Sequence, residues 1–478
     1  MNLASSPHCQ NILIWGTGRE GVAAAHLLRR HDPTIKLTFF DETQPAHADE
    51  ILSLGHLTVG ANHFTSLLTG SNMLVKSPGV SLYHPLIGQA QHAKIPVTSL
   101  LNLWMELDVA PLRAAGKRAG TSPKITSPKI IAVTGTKGKS TTASLCAHIL
   151  NHLEKKTVLL GNIGEAVGEC DVREFDYIVL ELSSYQTADF AYHCDCALLT
   201  SLYPEHLDWH GSLDQYYHDK LNLLTHAHQK FAAQQTRAVI EGLKLPIADN
   251  DQTKFPHDIH FISPDLDANL IKNDYLKRPH NLANVALVVQ AFESFGFDQT
   301  ECLKTLSDFK GLPHRQQELG IINNILYVDD SISTTPQSAI AALEIYKHRP
   351  ISIIVGGYDR GIDYAPLVDY LREHASLKSV ITMGPSGDRI YNALNALSEI
   401  HSSQSPAPEP QTTIDKAQTM AEAVSLAQSS LDKSLGKSGG VILLSPAAPS
   451  YGLYKNFIER GLAFQSAFQK EYEIFRSY

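Results

Sequence analysis

The sequence predicts an α/β protein of several domains, in which glycine-rich turns join buried strands to helices. Three observations carry that expectation. An apolar run over 11–15 enters Gly16-Thr17-Gly18-Arg19-Glu20-Gly21, continues as a helical pattern through Arg30, and returns as a second apolar run over 35–40 that ends on Asp41. A second apolar run, 130–133, enters Thr134-Gly135-Thr136-Lys137-Gly138-Lys139-Ser140-Thr141-Thr142. Short apolar runs then recur at 177–180, 197–200, 325–328, 351–355, 380–383 and 440–444, the first two closed by polar residues, as in parallel sheets buried on both faces. At 478 residues the chain exceeds one ordinary core and divides into two to four domains.

Composition narrows the class. Hydrophobic residues at 43% and charged residues at 19% are the balance of a globular protein. A formal charge of -9 without a long basic run argues against a dedicated nucleic-acid binder, while a local basic pocket for an anionic substrate stays open. The six cysteines, Cys9, Cys146, Cys170, Cys194, Cys196 and Cys302, include no C-x-x-C pair and make no disulfide framework. Cys194 and Cys196 share one face of a strand and are expected as buried small hydrophobes rather than metal ligands. With no signal-like start and no run near the ~18 apolar residues of a membrane span, a cytoplasmic protein is expected.

The first unit has the order strand, glycine turn, helix, strand, acid, with which a nucleotide-binding α/β unit opens. Asp41 follows Gly16 by 25 residues, near the distance at which such an acid reaches a sugar hydroxyl; simple turn glycines would also explain the pattern. Proline and small polar residues, with an echo of Thr121-Ser122-Pro123-Lys124-Ile125 in Thr126-Ser127-Pro128-Lys129-Ile130, mark a linker. The expected boundaries are 1–115 for the first domain, 116–129 for the linker, 130–310 for the second domain and 311–478 for the third. The Ser-, Pro- and Gln-rich segment 402–411 reads as a surface loop.

The turn after 130–133 supplies backbone N–H groups and a helix N-terminus, which together cradle phosphates. Lys139 suits the β/γ-phosphates and Ser140 suits magnesium, although Val133 stands where the usual first glycine would be. Glu181 ends an apolar strand, either as a solvated residue or as a carboxylate ligand for magnesium. His206, Asp208 and His210 alternate after another strand, but one helical turn would scatter them, which favours a single His206 ligand over a zinc cluster. Lys220, on a helical pattern over 216–224, reads from spacing alone as a solvated lysine. Asn281 and Asn284, three apart on a helix, face the same way and suit a nucleobase or a helix cap. Arg315 offers a phosphate contact, and the adjacent acids Asp329 and Asp330 are costly unless one binds a hydroxyl, a cation or an N–H. Arg360, in Gly356-Gly357-Tyr358-Asp359-Arg360-Gly361, offers a fork for a carboxylate, and the small residues of 445–450 allow close approach of a ligand.

In this order the segments resemble the Mur ligases of peptidoglycan precursor synthesis, specifically those that join glutamate to UDP-N-acetylmuramoyl-L-alanine. The stretches that carry the resemblance are 134–142, Gly161-Asn162-Ile163-Gly164, 181–186, Glu205-His206-Leu207-Asp208, 280–284, 311–315 and 444–461. The resemblance implies a three-domain architecture, two Rossmann-like domains flanking a central P-loop ATPase domain. It further implies ATP held by Gly135, Thr136, Lys137, Gly138, Lys139, Ser140, Thr141, Asn281 and Asn284, with Arg315 at the γ-phosphate and Asp330 at the ribose. Two magnesium ions would be held by Ser140, Glu181 and His206, and Lys220 would be carbamylated. Lys139, His206, Lys220 and Arg315 become the catalytic set. The UDP part would lie at Thr17, Gly18, Asp41, Ser77, Pro78 and Gly79, the muramoyl-alanine part at Asn162 and Ser183, and glutamate at Thr334, Arg360, Ser450, Tyr451 and Phe457. The implied chemistry is an acyl phosphate made from the alanine carboxylate and ATP, then opened by the glutamate amine once the domains close. A monomer is expected.

One segment departs from the common D-glutamate-adding enzymes. Where they carry Asn-Asp-Ser-Lys-Ala-Thr-Asn, this chain reads Asp329-Asp330-Ser331-Ile332-Ser333-Thr334-Thr335, so a lysine near the amino-acid substrate is Ile332. This form resembles a subgroup that adds L-glutamate and leaves inversion to a separate epimerase; D-glutamate is the alternative. Three rivals weigh less. Folylpolyglutamate synthase lacks the UDP unit, a dehydrogenase leaves most of the chain without a role, and a non-catalytic nucleotide-binding protein has no use for Lys139, Glu181, His206 and Lys220 together.

Overall fold

The computed structural model describes residues 10–43, 48–118, 127–163, 165–243, 258–401, 412–432 and 439–476. The readings on Cys9, on Gly164, on most of the Thr-Ser-Pro echo and on the loop at 402–411 lie outside the described residues. The chain divides into two compact units, Met1–Phe309 and Lys310–Tyr478. Unit 1 contains two parallel sheets and unit 2 a third sheet.

The first sheet comprises β1 (Asn11–Trp15), β2 (Lys36–Asp41), β3 (His56–Val59), β4 (Met73–Lys76) and β5 (Val97–Ser99), in the order β3-β2-β1-β4-β5. All its pairings are parallel. Alternation explains why β1 is apolar from Ile12 to Trp15: Ile12 and Ile14 pack into one core and Leu13 and Trp15 into another. The order reverses between β1 and β4, where open α/β sheets place ligands.

The second sheet comprises β6 (Lys129–Thr134), β7 (Thr157–Gly161), β8 (Tyr177–Glu181), β9 (Cys194–Leu199), β10 (Ala227–Ala233) and β11 (His260–Ile262), in the order β11-β10-β9-β6-β8-β7. One hydrophobic cluster joins the two sheets, with Leu27, Leu103 and Trp104 packed in the same core as Leu180, Leu199 and Tyr216. Each buried Leu or Ile is worth about 1.5–3 kcal/mol, so this shared core makes unit 1 a single body. Cys194 and Cys196 are both fully buried, as their spacing predicts.

The expected linker differs at both ends. The helix Ala110–Arg118 runs past residue 115, and Lys129 already belongs to β6. Pro111 sits inside a continuous helical run because the π-turn Met105–Val109 precedes it. A widened turn accommodates the carbonyl that a proline ring would otherwise strike.

Unit 2 holds β12 (Gln317–Ile322), β13 (Ile325–Asp329), β14 (Ile351–Gly356), β15 (Leu377–Met383), β16 (Thr413–Lys416) and β17 (Gly440–Leu444). Their order is β12-β13-β17-β14-β15-β16, and only β12 runs antiparallel. The sequence pattern misses β12, a partly exposed edge strand. Its hairpin turns on Asn323 and Asn324, both with positive φ (49° and 64°), rather than on an Asn-Gly pair. No helix among the described residues is long and apolar enough to cross a membrane.

Candidate active site

The phosphate loop leaves the central strand β6, which lies between β8 and β9. Val133 pairs with Glu181 and Leu198 inside the sheet, so the loop opens only at Gly135 and no glycine is needed at 133. Gly138 has φ 87°, and a Cβ there would stand 2.8 Å from Asn284 Oδ1. Strand β9 hands the chain to Thr200 and Ser201, which brace the loop. Thr200 Oγ1 donates to the Lys137 carbonyl at 2.5 Å, Ser201 Oγ accepts from Lys137 N at 2.8 Å, and the Ser201 carbonyl accepts from Thr136 N at 2.8 Å. Lys139 Nζ donates to the carbonyls of Gly135 and Thr136 at 2.9 and 3.0 Å. Ser140 and Thr141 are buried in the first turn of the helix Lys139–His152. Lys137, mostly exposed, pairs with Glu205 at 2.8 Å. Asn284 is buried against the loop, whereas the Asn281 amide donates to the Tyr275 carbonyl at 2.9 Å and serves the backbone.

The solvated readings of Glu181 and Lys220 fail, for both are 1% exposed. Glu181 Oε1 accepts from Asn162 Nδ2 at 3.0 Å, while the buried Oε2 has no partner among the described residues. A buried carboxylate oxygen left unpaired is costly, and a cation beside it would remove the cost. Lys220, on the helix Leu213–Thr225, donates to the Gly135 carbonyl at 2.8 Å and lies 5.0 Å from the centre of the Tyr216 ring. Burial pushes its pKa well below the lysine range, and Lys139 nearby pushes it further. His206 caps the short helix Leu207–His210 with φ 58°. Its Nδ1 lies 2.8 Å from the Tyr185 hydroxyl. Burial lowers the His206 pKa, so the neutral imidazole has a lone pair to offer.

His206, Asp208 and His210 do not converge. His210 turns inward and is 2% exposed, with Nδ1 2.5 Å from Asp219 Oδ2 and Nε2 3.0 Å from Ser184 Oγ. Asp219 also accepts from the Tyr83 hydroxyl at 2.7 Å. Trp209 Nε1 donates to the Pro78 carbonyl at 3.0 Å. The Ser77-Pro78-Gly79 turn is therefore docked on the segment that carries His206. Ser183 forms a capping box with Gln186, so its hydroxyl is engaged in starting a helix.

In the first sheet the three glycines divide the work. Gly16 makes the turn with φ 111°, and a Cβ on Gly21 would stand 2.0 Å from the Gly16 carbonyl oxygen. Gly18 has nothing within 4 Å of its absent Cβ, which leaves the helix N-terminus open to an anion. Asp41 Oδ2 accepts from Thr17 Oγ1 at 2.7 Å and from Thr17 N at 3.2 Å. Ser77 Oγ, across from Gly16, is buried without a partner.

Glu20, on the same turn, accepts from Gln186 Nε2 at 2.8 Å, and burial lifts its pKa from 4.5 to about 7. The native state thus holds this proton more tightly than the unfolded chain, so stability falls as pH rises from 4.5 to 7, and the full penalty remains above 7. Because the carboxyl keeps some exposure, Glu20→Gln should gain about 2 kcal/mol at pH 8, shrinking to nothing near pH 4.5. Thermal unfolding across that range checks it; a gain independent of pH would refute the cause.

Unit 2 assembles its own cluster. Asp329 is fully buried between His314 Nδ1 at 2.8 Å and Ser331 N at 3.0 Å. Asp330 accepts from Ser333 Oγ at 2.5 Å, Ser445 Oγ at 2.8 Å and Gln316 N at 3.1 Å; burial still raises its pKa to about 6. The adjacent acids are thus each hydrogen-bonded, as their proximity requires. Arg315, partly buried, is close enough to act electrostatically on Asp330. Arg360 Nη2 donates to the Thr334 carbonyl at 3.2 Å, which brings two of the expected glutamate residues together. Ser450 is buried, Tyr451 is exposed with its ring 6.4 Å from that of Tyr358, and the Phe457 carbonyl accepts from Ser331 Oγ at 2.7 Å. Arg460 escaped the sequence reading. Buried in the helix Phe457–Arg476, it donates to Ser331 O at 2.7 Å, Ser331 Oγ at 3.1 Å and Ala448 O at 2.9 Å, tying together the loops after β13 and β17.

Comparison with known proteins matches two segments of unit 1. Residues 10–99 match the family model "Mur ligase MurD-like, N-terminal domain", and residues 133–251 match "Mur ligase middle domain". A UDP-N-acetylmuramoyl-L-alanine--L-glutamate ligase from Xanthomonas euvesicatoria pv. vesicatoria is 34% identical, over 95% of this chain and 94% of its own. The chain belongs to the Mur ligase family. This family catalyses ATP-dependent amide ligation in peptidoglycan precursor synthesis. A Mur ligase of the same printed name from Salinispora tropica is 33% identical, over 96% of this chain and 97% of its own. The crystal structure of MurF from Acinetobacter baumannii shares the fold, with TM-score 0.54 at 15% identity over 95% of this chain and 93% of that one.

Proposed function

We propose that this Mur ligase joins L-glutamate to UDP-N-acetylmuramoyl-L-alanine with ATP, through an acyl phosphate. The near-full-length likeness to relatives that bear this name carries the reading. The unpartnered Glu181 oxygen and the buried Lys220 beside the phosphate loop support the ATP chemistry. The alanine carboxylate attacks the γ-phosphate, ADP leaves with the bridging oxygen, and Lys139 and Arg315 neutralise the charge that gathers on the transferred oxygens. The neutral glutamate amine then attacks the acyl carbon, a tetrahedral intermediate forms, phosphate leaves, and the nitrogen gives up a proton to solvent as the amide forms.

Magnesium fits the site because Glu181 presents a buried acceptor without a partner; Glu181, Ser140 and His206 would hold it. When bound it supplies charge neutralisation at the phosphates. Lys220 would add an anionic oxygen as its carbamate, formed when the neutral amine attacks dissolved CO2 and gives up a proton. Thr17, Gly18, Asp41 and Ser77-Pro78-Gly79 would hold the UDP part, with the open face of Gly18 and the unpartnered Ser77 hydroxyl as support. Asn162 and Ser183 would meet the muramoyl-alanine part, and Asn284 the adenine. Asp330 is assigned to the ribose by resemblance. Arg360, Thr334, Ser450, Tyr451 and Phe457 would hold glutamate. The enzyme would act as a cytoplasmic monomer, and a separate epimerase would invert the added residue.

The test is phosphate release from ATP with UDP-N-acetylmuramoyl-L-alanine and either isomer of glutamate. With Ile332 in place of a lysine, the L isomer should be preferred by about 100-fold or more in kcat/KM. A preference for the D isomer would overturn the stereochemical part while leaving the ligation standing.

A further inference from the structure

The far end of the phosphate-loop helix carries a second cluster of ligating groups that the ligation does not use. His148 and His152 stand one turn apart on the helix Lys139–His152, so both rings leave the same face, with centroids 4.1 Å apart. Asp308, which closes the 3-10 turn Thr305–Asp308, faces them. Its Oδ1 lies 3.3 Å from His148 Nε2 and its Oδ2 lies 3.3 Å from His152 Nε2. One ligand atom from each residue lies within 4.8 Å of the other two, a set that no other His, Cys, Asp or Glu group forms among the described residues.

The separations have a chemical meaning. A tetrahedral ion with bonds of about 2.0–2.2 Å holds its ligand atoms about 3.3–3.6 Å apart. A charge-assisted N–H···O bond would draw the same atoms to about 2.7–2.9 Å. Both separations, at 3.3 Å, lie closer to the first case. His152 Nδ1 lies 2.9 Å from the His148 carbonyl; donation there puts the proton on Nδ1 and turns the Nε2 lone pair towards the carboxylate. A lone pair facing a carboxylate is satisfied by a cation between them, either a proton or a metal ion. His148 Nε2 also lies 2.8 Å from the Thr305 carbonyl, the separation of an N–H···O bond, so an ion would take the place of that proton or draw on the other tautomer. Phe309 holds the His148 ring edge-to-face at 5.2 Å, while Asp308, 63% exposed, leaves a route for an ion from solvent.

We propose that His148, His152 and Asp308 form a transition-metal site, with zinc as its reference ion, separate from the magnesium site. Two imidazoles and one carboxylate favour zinc, nickel or copper over magnesium, which prefers oxygen donors. The ion would staple the end of the helix that begins at Lys139 to the turn that ends just before Phe309, the last residue of unit 1. Because it binds the folded arrangement, it stabilises that state by mass action.

The test is calorimetric titration of metal-stripped full-length protein with zinc chloride, repeated with His152→Ala, Asp308→Asn and, as a control for the catalytic centre, Glu181→Gln. The expected result is one equivalent of zinc lost in the first two variants and kept in the third, with a zinc-dependent rise in thermal midpoint lost in parallel. Cobalt(II) should give a visible d–d absorption in the parent that His152→Ala lacks. Asp308→Asn changes an exposed side chain and so keeps the fold testable. Equal zinc binding in parent, His152→Ala and Asp308→Asn, or loss in Glu181→Gln alone, would overturn the proposal.

Discussion

Exchange of Glu181 for glutamine should leave a protein at least as stable as the parent and about 10²- to 10³-fold slower in ligation. The two effects share one cause. Glu181 is 1% exposed and places one carboxylate oxygen where no described residue answers it. That arrangement costs stability, and a side chain kept at such cost is one that a bound cation would satisfy. Glutamine has the same shape, and its carbonyl still accepts from Asn162. What remains is a buried neutral amide in place of a buried charge, so the thermal midpoint in magnesium-free buffer should hold or rise. Meanwhile kcat should fall and the magnesium concentration for half-maximal rate should increase. If the variant kept parental kcat with an unchanged magnesium requirement, Glu181 would have no part in holding the ion.

The second large effect is expected at Lys220. Lys220→Ala should lose about 10³-fold or more in kcat, and small carboxylates such as acetate should restore a measurable part of it. The argument starts from burial. An ammonium at 1% exposure beside Lys139 is disfavoured, and the neutral amine is the form that reacts with CO2. The resulting carbamate would place an anionic oxygen close to Gly135, in the space where the loop meets phosphate. Alanine opens a cavity that acetate can enter, so rescue separates a missing carboxylate from a collapsed fold. Intact-mass measurement of the parent under neutral conditions should show one added CO2 that acid removes. Full activity of the variant, or loss that neither acetate nor formate relieves together with an unmodified parent mass, would refute the carbamate.

Much of the fold was legible because parallel sheets leave a plain mark. The runs at 11–15 and 440–444 are strands at those same limits, and most of the others differ by only a few residues. These strands are buried on both faces, so each reads as an unbroken apolar stretch. Strand β12 lacks that mark, since it is a partly exposed edge strand. The linker was over-extended because proline and small polar residues read as breakers, whereas the helix Ala110–Arg118 continues past residue 115 and β6 already begins at Lys129.

The candidate site divides along a similar line. Glycine turns, the lysine and serine of the phosphate loop, and acids at strand ends announce themselves through local spacing, because a turn or a helix start needs particular residue types within a few positions. Burial and partnership do not. Lys220 reads as a solvated lysine until the helix that carries it is laid against Gly135, 85 positions earlier. Arg460 shows no signal until it meets Ser331 and Ala448 from two other loops. The His206, Asp208 and His210 alternation is undone by a single helical turn that sends His210 inward to Asp219 and Ser184. The sequence by itself determined the α/β class, the two glycine turns and which residue types stand at the candidate site. Tertiary structure alone decided which of those groups are buried, which are left without a partner and which face one another, because those properties arise from contacts between distant segments.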